Sequence, residues 1–157
     1  MFIGNPTEIK TREQRVAKTP ANIDCLEDID LEIPFQTDAG SAAGYPDAEY
    51  SAAGATVCED RAEIFARADV ILQVQSFGSN NENSDDDLAR LRSGQLVIGM
   101  MDPLASPAAA QAVADKGATA IALELVLADL AAGAVRASGA GCPRREGRYL
   151  PFWSTCH

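Results

Sequence analysis

Apolar positions recur along the chain in short blocks whose spacing alternates between that of strands and that of helices. Residues 1–3 read as a short strand, and a polar loop rich in Glu and Arg follows it. That loop ends on Thr19-Pro20, which reads as a helix start. Thr19 can cap exposed N–H groups, and Pro20 suits the first helical position, where its missing N–H would be unpaired anyway. The helix is predicted over 20–28, with Ile23 and Leu26 inward and Asn22, Asp24 and Glu27 outward. Residues 31–36 alternate like a half-buried strand, and Pro34, which lacks a ladder donor, pushes that strand toward a sheet edge or a bulge. Asp28-Ile-Asp30, Asp38-Ala-Gly40 and Gly44-Tyr-Pro46 read as turns and loops. Asp47 is expected to cap a short helix through Ala53, closed by Gly54 in the left-handed conformation.

The second half repeats the alternation. A strand over 55–57 leads to a helix over 61–68, with Ile64 and Phe65 facing the sheet. Residues 69–74 have the near-continuous apolar run of a strand buried on both faces. The polar segment 76–87 could be a lid beside a site; its composition favours a solvated loop that caps a helix near 88–91. Residues 95–99 form another buried strand, Ser106-Pro107 opens a helix through Lys116, Gly117 closes it, and 118–122 make a last strand. Repeated strand–helix–strand succession predicts an α/β fold with a mostly parallel sheet and helices on both faces.

Composition narrows the picture. With 157 residues and 46% hydrophobic content the chain is sized for one globular domain. No apolar run approaches the ~20 residues of a membrane span, and no secretory-type leader pattern opens the chain, so no direct membrane insertion and a cytoplasmic location are expected. A formal charge of −10 argues against nucleic acid and anionic membrane surfaces, and reads as an acidic solvated surface. Cys25, Cys58, Cys142 and Cys156 are scattered, and the one histidine is His157, so no zinc pattern and no metal site is expected.

In an open α/β sheet, ligands sit beyond the carboxyl ends of the strands. The candidates there are Gln73 and Gln75, the turn from Met100 to Asp102, and Glu124, with Arg15 on the first loop. A guanidinium fork suits a substrate carboxylate because it donates two parallel hydrogen bonds; an ion pair with a neighbouring Glu is the other use of Arg15. Asp102 could serve as a base, but Asp before Pro is commonly a turn residue. Glu124 reads equally well as a strand-end or helix-start residue.

The pattern Ile-Gly-x-Pro-x-Glu followed by Arg15-Val-Ala-x-Thr-Pro20 resembles the start of the alanine dehydrogenase and pyridine nucleotide transhydrogenase α-subunit family. Further matching motifs are Asp38-Ala-Gly-Ser-Ala-Ala-Gly44, Ala68-Asp-Val-Ile-Leu-Gln-Val-Gln75, Leu91-Arg-Ser-Gly-Gln-Leu-Val-Ile-Gly99 and Ala118-Thr-Ala-Ile-Ala-Leu-Glu-Leu125. The resemblance implies an open three-layer, Rossmann-like (flavodoxin-like) mostly parallel sheet, the N-terminal domain of the family only. It implies that Arg15 matches an arginine that binds substrate carboxylate in alanine dehydrogenases. Those enzymes carry a carbonyl-binding lysine at the position of Gln75 and an acid–base histidine in the loop matching Met101-Asp102. This chain has neither, so the resemblance leans toward the transhydrogenase α-subunit, which implies hydride transfer from NADH to NADP coupled to proton translocation. An alanine dehydrogenase-type domain, a saccharopine-type relative, a non-catalytic assembly domain and a gene remnant are the alternatives.

The resemblance stops near residue 126. Family members continue with Pro-Arg and an Arg-Ala-Gln-Ser-Met-Asp loop, whereas this chain reads Val126-Leu-Ala-Asp-Leu-Ala-Ala-Gly-Ala-Val135. Residues 130–157 hold four Arg and one Glu, a net of +3, leaving −13 on residues 1–129. Residues 1–126 are therefore expected to form the family domain. Residues 127–157 are expected to be a non-family tail, a helix start and then disorder, from a truncated or frame-shifted end. The glycine-rich Gly-x-Gly-x-x-Gly turn that cradles a dinucleotide pyrophosphate is absent. No cofactor is expected on this chain alone, although the family implies NAD(H). No catalytic residue is assigned. The implied partners are the remaining transhydrogenase alpha and beta subunits, with a homodimer left open; assembly with them would place the chain peripheral to the inner membrane.

Overall fold

A computed structural model describes residues 1–24, 31–80 and 84–126. In chain order the elements are β1 (Ile3–Gly4), α1 (Pro20–Asp24), β2 (Pro34–Gln36), α2 (Asp47–Ala52), β3 (Thr56–Cys58), α3 (Arg61–Arg67), β4 (Val70–Gln75), α4 (Ser84–Arg90), β5 (Leu96–Met100), α5 (Pro107–Asp115) and β6 (Thr119–Ala122). Short 3-10 turns occupy Ser41–Ala43 and Phe77–Ser79, and residues 123–126 begin a helix. The expectations for Leu26, Glu27, the 28–30 turn, the tail 127–157 and Cys25, Cys142 and Cys156 fall outside the described residues, as does the side chain of Asp24.

Every strand pairing is parallel. β1-β4-β5-β6 form one ladder and β2-β3 another. Parallel bridges Phe2–Glu32 and Asn5–Phe35 set β2 beside β1, which makes the spatial order β3-β2-β1-β4-β5-β6. The chain winds outward from β1 in one direction, returns, and winds outward in the other, so the order reverses between β1 and β4. The predicted α/β fold with a mostly parallel sheet is the observed one, and the reversal point is where such sheets place ligands.

Helices cover the two faces in separate clusters. Ile23 of α1 and Tyr50 of α2 pack with Ile33 and Phe35 on one side. The Tyr50 ring stacks on Phe35 with centroids 3.7 Å apart, and its hydroxyl donates to the Lys18 carbonyl, pinning the end of the first loop to α2. Phe65 of α3 and Val113 of α5 pack with Ile71 and Val97 on the other side. Gly4 is required there, because a Cβ would come within 2.8 Å of Ile64 on α3 and of Ala68 just after it.

Several expectations change in detail. Pro34 lies in an interior strand, neither at an edge nor at a bulge. Asn5 N–H donates to the Pro34 carbonyl and Gln36 N–H to the Asn5 carbonyl, while Pro34 has no N–H to return. The β1–β2 ladder is therefore reduced to isolated bridges there, the physical effect of a proline in a sheet. At α1, Thr19 does not cap with its hydroxyl oxygen: Asn22 Oδ1 accepts from the Thr19 hydroxyl at 2.7 Å and from its N–H at 3.4 Å. Asp47 is the first residue of α2, and its carboxylate accepts from Asp38 N–H, bracing the preceding turn. Gln95 precedes β5, and its side-chain amide donates to the carbonyls of Phe65 and Ala68, closing the end of α3.

Segment 76–87 is the largest departure. Among its described residues Ser76, Phe77, Gly78 and Asn80 are buried, and α4 starts at Ser84, earlier than expected. Gly78 sits so close to the Met101 carbonyl that a Cβ would approach it to 2.1 Å, so the chain leaving β4 packs against the chain leaving β5. Asp87, only 3% exposed, makes a bidentate pair with Arg61 through Nε at 2.7 Å and Nη2 at 2.6 Å. A polar composition hid a buried turn and a buried ion pair.

Candidate functional site at the strand-order reversal

The loop after β1 folds across the carboxyl end of β4. Glu8 makes the junction: its two carboxylate oxygens accept the N–H groups of Val74 and Gln75, at 2.5 and 3.0 Å. Burial is the main influence on this carboxyl and raises it from 4.5 to about 7, against the pull of the two N–H groups. Arg61 reaches the same loop from α3, donating to the Thr7 carbonyl at 2.7 Å and to Gln36 Oε1 at 3.2 Å.

Above this clasp lies a chain of polar side chains. Lys10 Nζ donates to the Ser79 carbonyl at 2.7 Å and to Gln75 Oε1 at 3.3 Å. Gln75 Nε2 donates to Glu13 Oε2 at 3.2 Å. Arg15 donates to the same carboxylate through Nε at 2.8 Å, Nη2 at 2.6 Å and its backbone N–H at 3.0 Å. The Arg15 guanidinium beside it holds the Glu13 carboxyl down at about 2. Arg12, at the turn of this loop, takes φ 69°, a left-handed conformation a non-glycine residue rarely adopts.

On the other wall, Glu124 holds the turn after β5. Its Oε1 accepts from Met101 N–H at 2.8 Å and from Asp102 N–H, while its Oε2 is buried without a partner. Asp102 has φ 47°, and its carbonyl accepts from Ser106 N–H at 2.8 Å, which makes it a turn residue. Between the walls is an open cleft of about 620 Å³, lined by Lys10, Gln75, Ser79, Asp102 and Glu124 among others.

The residues singled out from sequence thus fall unevenly: Gln73 is buried, its side-chain amide donating to Asp87. Gln75, Asp102 and Glu124 line one cleft. Arg15 does not line it and reaches Gln75 only through Glu13; its side chain is 50% exposed, whereas that of Glu13 is 8% exposed. Lys10 was not singled out, Glu8 entered only as the end of the Ile-Gly-x-Pro-x-Glu motif, and Glu13 only as the neighbouring Glu that could pair with Arg15, which is the pair observed. The physical signal for their roles was the density of charge in a loop that must cross a strand end, where the first unpaired strand N–H groups need acceptors. Among the described residues no group of three or more His, Cys, Asp or Glu could hold a metal ion, and Cys58 is buried and free.

The profile of the family described as alanine dehydrogenase/PNT, N-terminal domain, matches residues 4–137. The alanine dehydrogenase of Mycobacterium tuberculosis is 36% identical over 126 residues, 80% of this chain and 32% of that protein. The NAD(P) transhydrogenase subunit alpha of Cereibacter sphaeroides is 34% identical over 126 residues, 80% of this chain and 23% of that protein. The crystal structure of a transhydrogenase from Sinorhizobium meliloti superposes with a TM-score of 0.71 at 32% identity, covering 80% of this chain and 35% of that one. An L-alanine dehydrogenase structure gives the same TM-score, 0.71, at 26% identity, covering 79% of this chain and 32% of that one. The chain spans about a third or less of the length of these curated relatives. With the motif order, the parallel sheet and these matches in agreement, the chain belongs to the alanine dehydrogenase/PNT N-terminal domain family.

Proposed function

We propose that the chain is the N-terminal domain of a transhydrogenase α-subunit type of protein, contributing one wall of a cleft for hydride transfer from NADH to NADP. The observation that carries this reading is Gln75. It stands at the end of β4 facing the cleft, a neutral amide whose two ends are engaged by Lys10 and Glu13. An amide supplies no positive charge to polarise a substrate carbonyl, and the Lys10 ammonium that lines the same cleft is committed to the Ser79 carbonyl and to Gln75 itself. The turn formed by Met101 and Asp102 likewise brings no imidazole to exchange a proton near neutral pH. Glu124 and Asp102 shape the opposite wall, and Arg15 braces the first loop from outside the cleft.

On this reading residues 1–126 lie within the family domain, whose profile match runs on to residue 137, NAD(H) is held by a further domain, and the other transhydrogenase subunits are the partners that set any membrane association. The comparable identity to alanine dehydrogenases favours a second reading, an alanine dehydrogenase-type domain. Reconstitution separates the two. Co-purified with the cofactor-domain polypeptide of a relative, the chain should support reduction of NADP by NADH when an NADP-binding component is added. It should not support NAD-dependent oxidation of L-alanine. Alanine oxidation with no NADH-to-NADP transfer would reverse the choice.

A further inference from the structure

We propose that one face of the sheet is a docking surface for the chain's own residues 127–135, which cover it as an amphipathic helix continued from residues 123–126. The inference does not rest on the hydride-transfer reading above, because it concerns a sheet face and not the cleft.

The burial pattern of the central strands points to this face. β4 and β5 are interior strands of a parallel ladder, yet buried and half-buried positions alternate along both. Ile71 and Val97 point into the cluster formed with α3 and α5. Alternation turns Val70 and Leu72 of β4, and Leu96 and Ile98 of β5, to the opposite side. The register sets them in rows, Ile3 with Val70 and Leu96, then Leu72 with Ile98 and Ile121. All six are partly exposed, Ile121 by 38%, and none joins either apolar cluster. On this side α1 and α2 pack against β2, and among the described residues β4, β5 and β6 have no helix over them. Parallel sheets are ordinarily covered on both faces, and a contiguous apolar surface of this kind marks a contact.

The sequence supplies the cover. Residues 123–126 begin a helix directly after β6, with Leu125 and Val126 exposed by 41% and 43%. Helical spacing carries forward from there: Leu123, Val126, Leu127, Leu130 and Ala134 fall on one stripe, with Glu124 and Asp129 off it. A helix over 123–135 is about 20 Å long, and a six-residue strand such as β4 spans about the same, so the helix can run the length of the face. Charge favours this occupant over a second copy. Residues 136–157 hold four Arg and one Glu, a net of +3, against −13 on residues 1–129. This end is therefore drawn to its own domain, whereas two copies, each at −10, repel.

The test uses the full chain with labelled Ile, Leu and Val methyl groups. Nuclear Overhauser contacts are sought from Leu127 and Leu130 to Leu72, Ile98 and Ile121, with sedimentation at two concentrations to fix the oligomeric state. Leu130→Glu and Asp129→Asn are compared with the native chain by circular dichroism and by fluorescence of the apolar-surface dye ANS. The expected result is a monomer showing those contacts, which Leu130→Glu abolishes and Asp129→Asn, off the stripe, retains. Leu130→Glu should also raise ANS fluorescence about threefold or more at unchanged helix content. If Leu130→Glu loosens the fold as a whole, the native contacts decide the matter alone. A folded native monomer without those contacts would overturn the proposal. A dimer whose face contacts vanish on dilution would overturn it as well, and would assign the face to a second copy.

Discussion

Glu8 shows how a single side chain can organise the loop on which the site stands. It serves two backbone N–H groups at the end of a parallel strand, and the loop that supplies it buries it. The folded protein holds the Glu8 proton up to about pH 7, whereas an unfolded chain releases it near 4.5. Folding is therefore favoured by this group below pH 4.5, and that contribution disappears as pH rises through 7, by about 3 kcal/mol between the two limits. Glu13 runs the other way: its carboxyl is held at about 2, so its contribution is present above 4.5 and fades as pH falls toward 2. Urea unfolding of the native chain should show stability declining from pH 5 to pH 8, and Glu8→Gln should flatten that decline. A native profile flat over that range would show that Glu8 ionises in the fold without cost. Little of this was legible beforehand. An ion pair between Arg15 and a neighbouring glutamate is legible, but that this glutamate, Glu13, also reaches Gln75, sixty-two positions along the chain, is a fact of three dimensions.

At the scale of elements, hydrophobic periodicity located every described strand and helix to within a few residues, because apolar spacing follows the pleat and the helical turn. What it misjudged were the places where a polar side chain does structural work. The three consecutive aspartates of α4 look solvated, yet Asp87 turns inward to Arg61 at the base of α3, and Arg61 extends to the loop after β1. This pair ties three elements together around β4. Removing one partner leaves the other as a buried charge. Asp87→Ala should therefore lower unfolding stability by about 3 kcal/mol, and replacing Arg61 and Asp87 together by apolar residues should cost less than the sum of the single changes. Additive losses from the single and double variants would show that the two side chains are not coupled. Pro34 teaches the converse: its missing N–H was legible, but a sheet can keep such a residue in its interior by giving up ladder bonds on one side.

For the whole molecule, the strand order decides what the chain can do alone. The reversal between β1 and β4 gathers the first loop and the ends of β4 and β5 at one edge, which makes a cleft with walls of opposite character. One wall carries Lys10 and Gln75, backed by Glu13, and the other is the turn held by Glu124. The sheet order is one found in dinucleotide-binding folds, but the chain carries no glycine-rich turn to admit a pyrophosphate. Titration with NADH should give a Kd in the millimolar range or weaker, about 4 kcal/mol of binding. Micromolar binding would require a pyrophosphate site of another kind and would revise the proposed division of labour between domains.

The amino-acid sequence by itself determined the alternation of strands and helices, the parallel α/β class and the family, because each of these depends on local spacing and on motif order. Only the tertiary structure decided which charges are buried and which carboxylate meets which donor. Those outcomes depend on the reversal of strand order, which brings residues 8–15 against residues 74–79 and residues 100–102 against Glu124. Electrostatic environment is set by neighbours in space, and for this chain the decisive neighbours come from loops whose composition alone reads as solvent-facing.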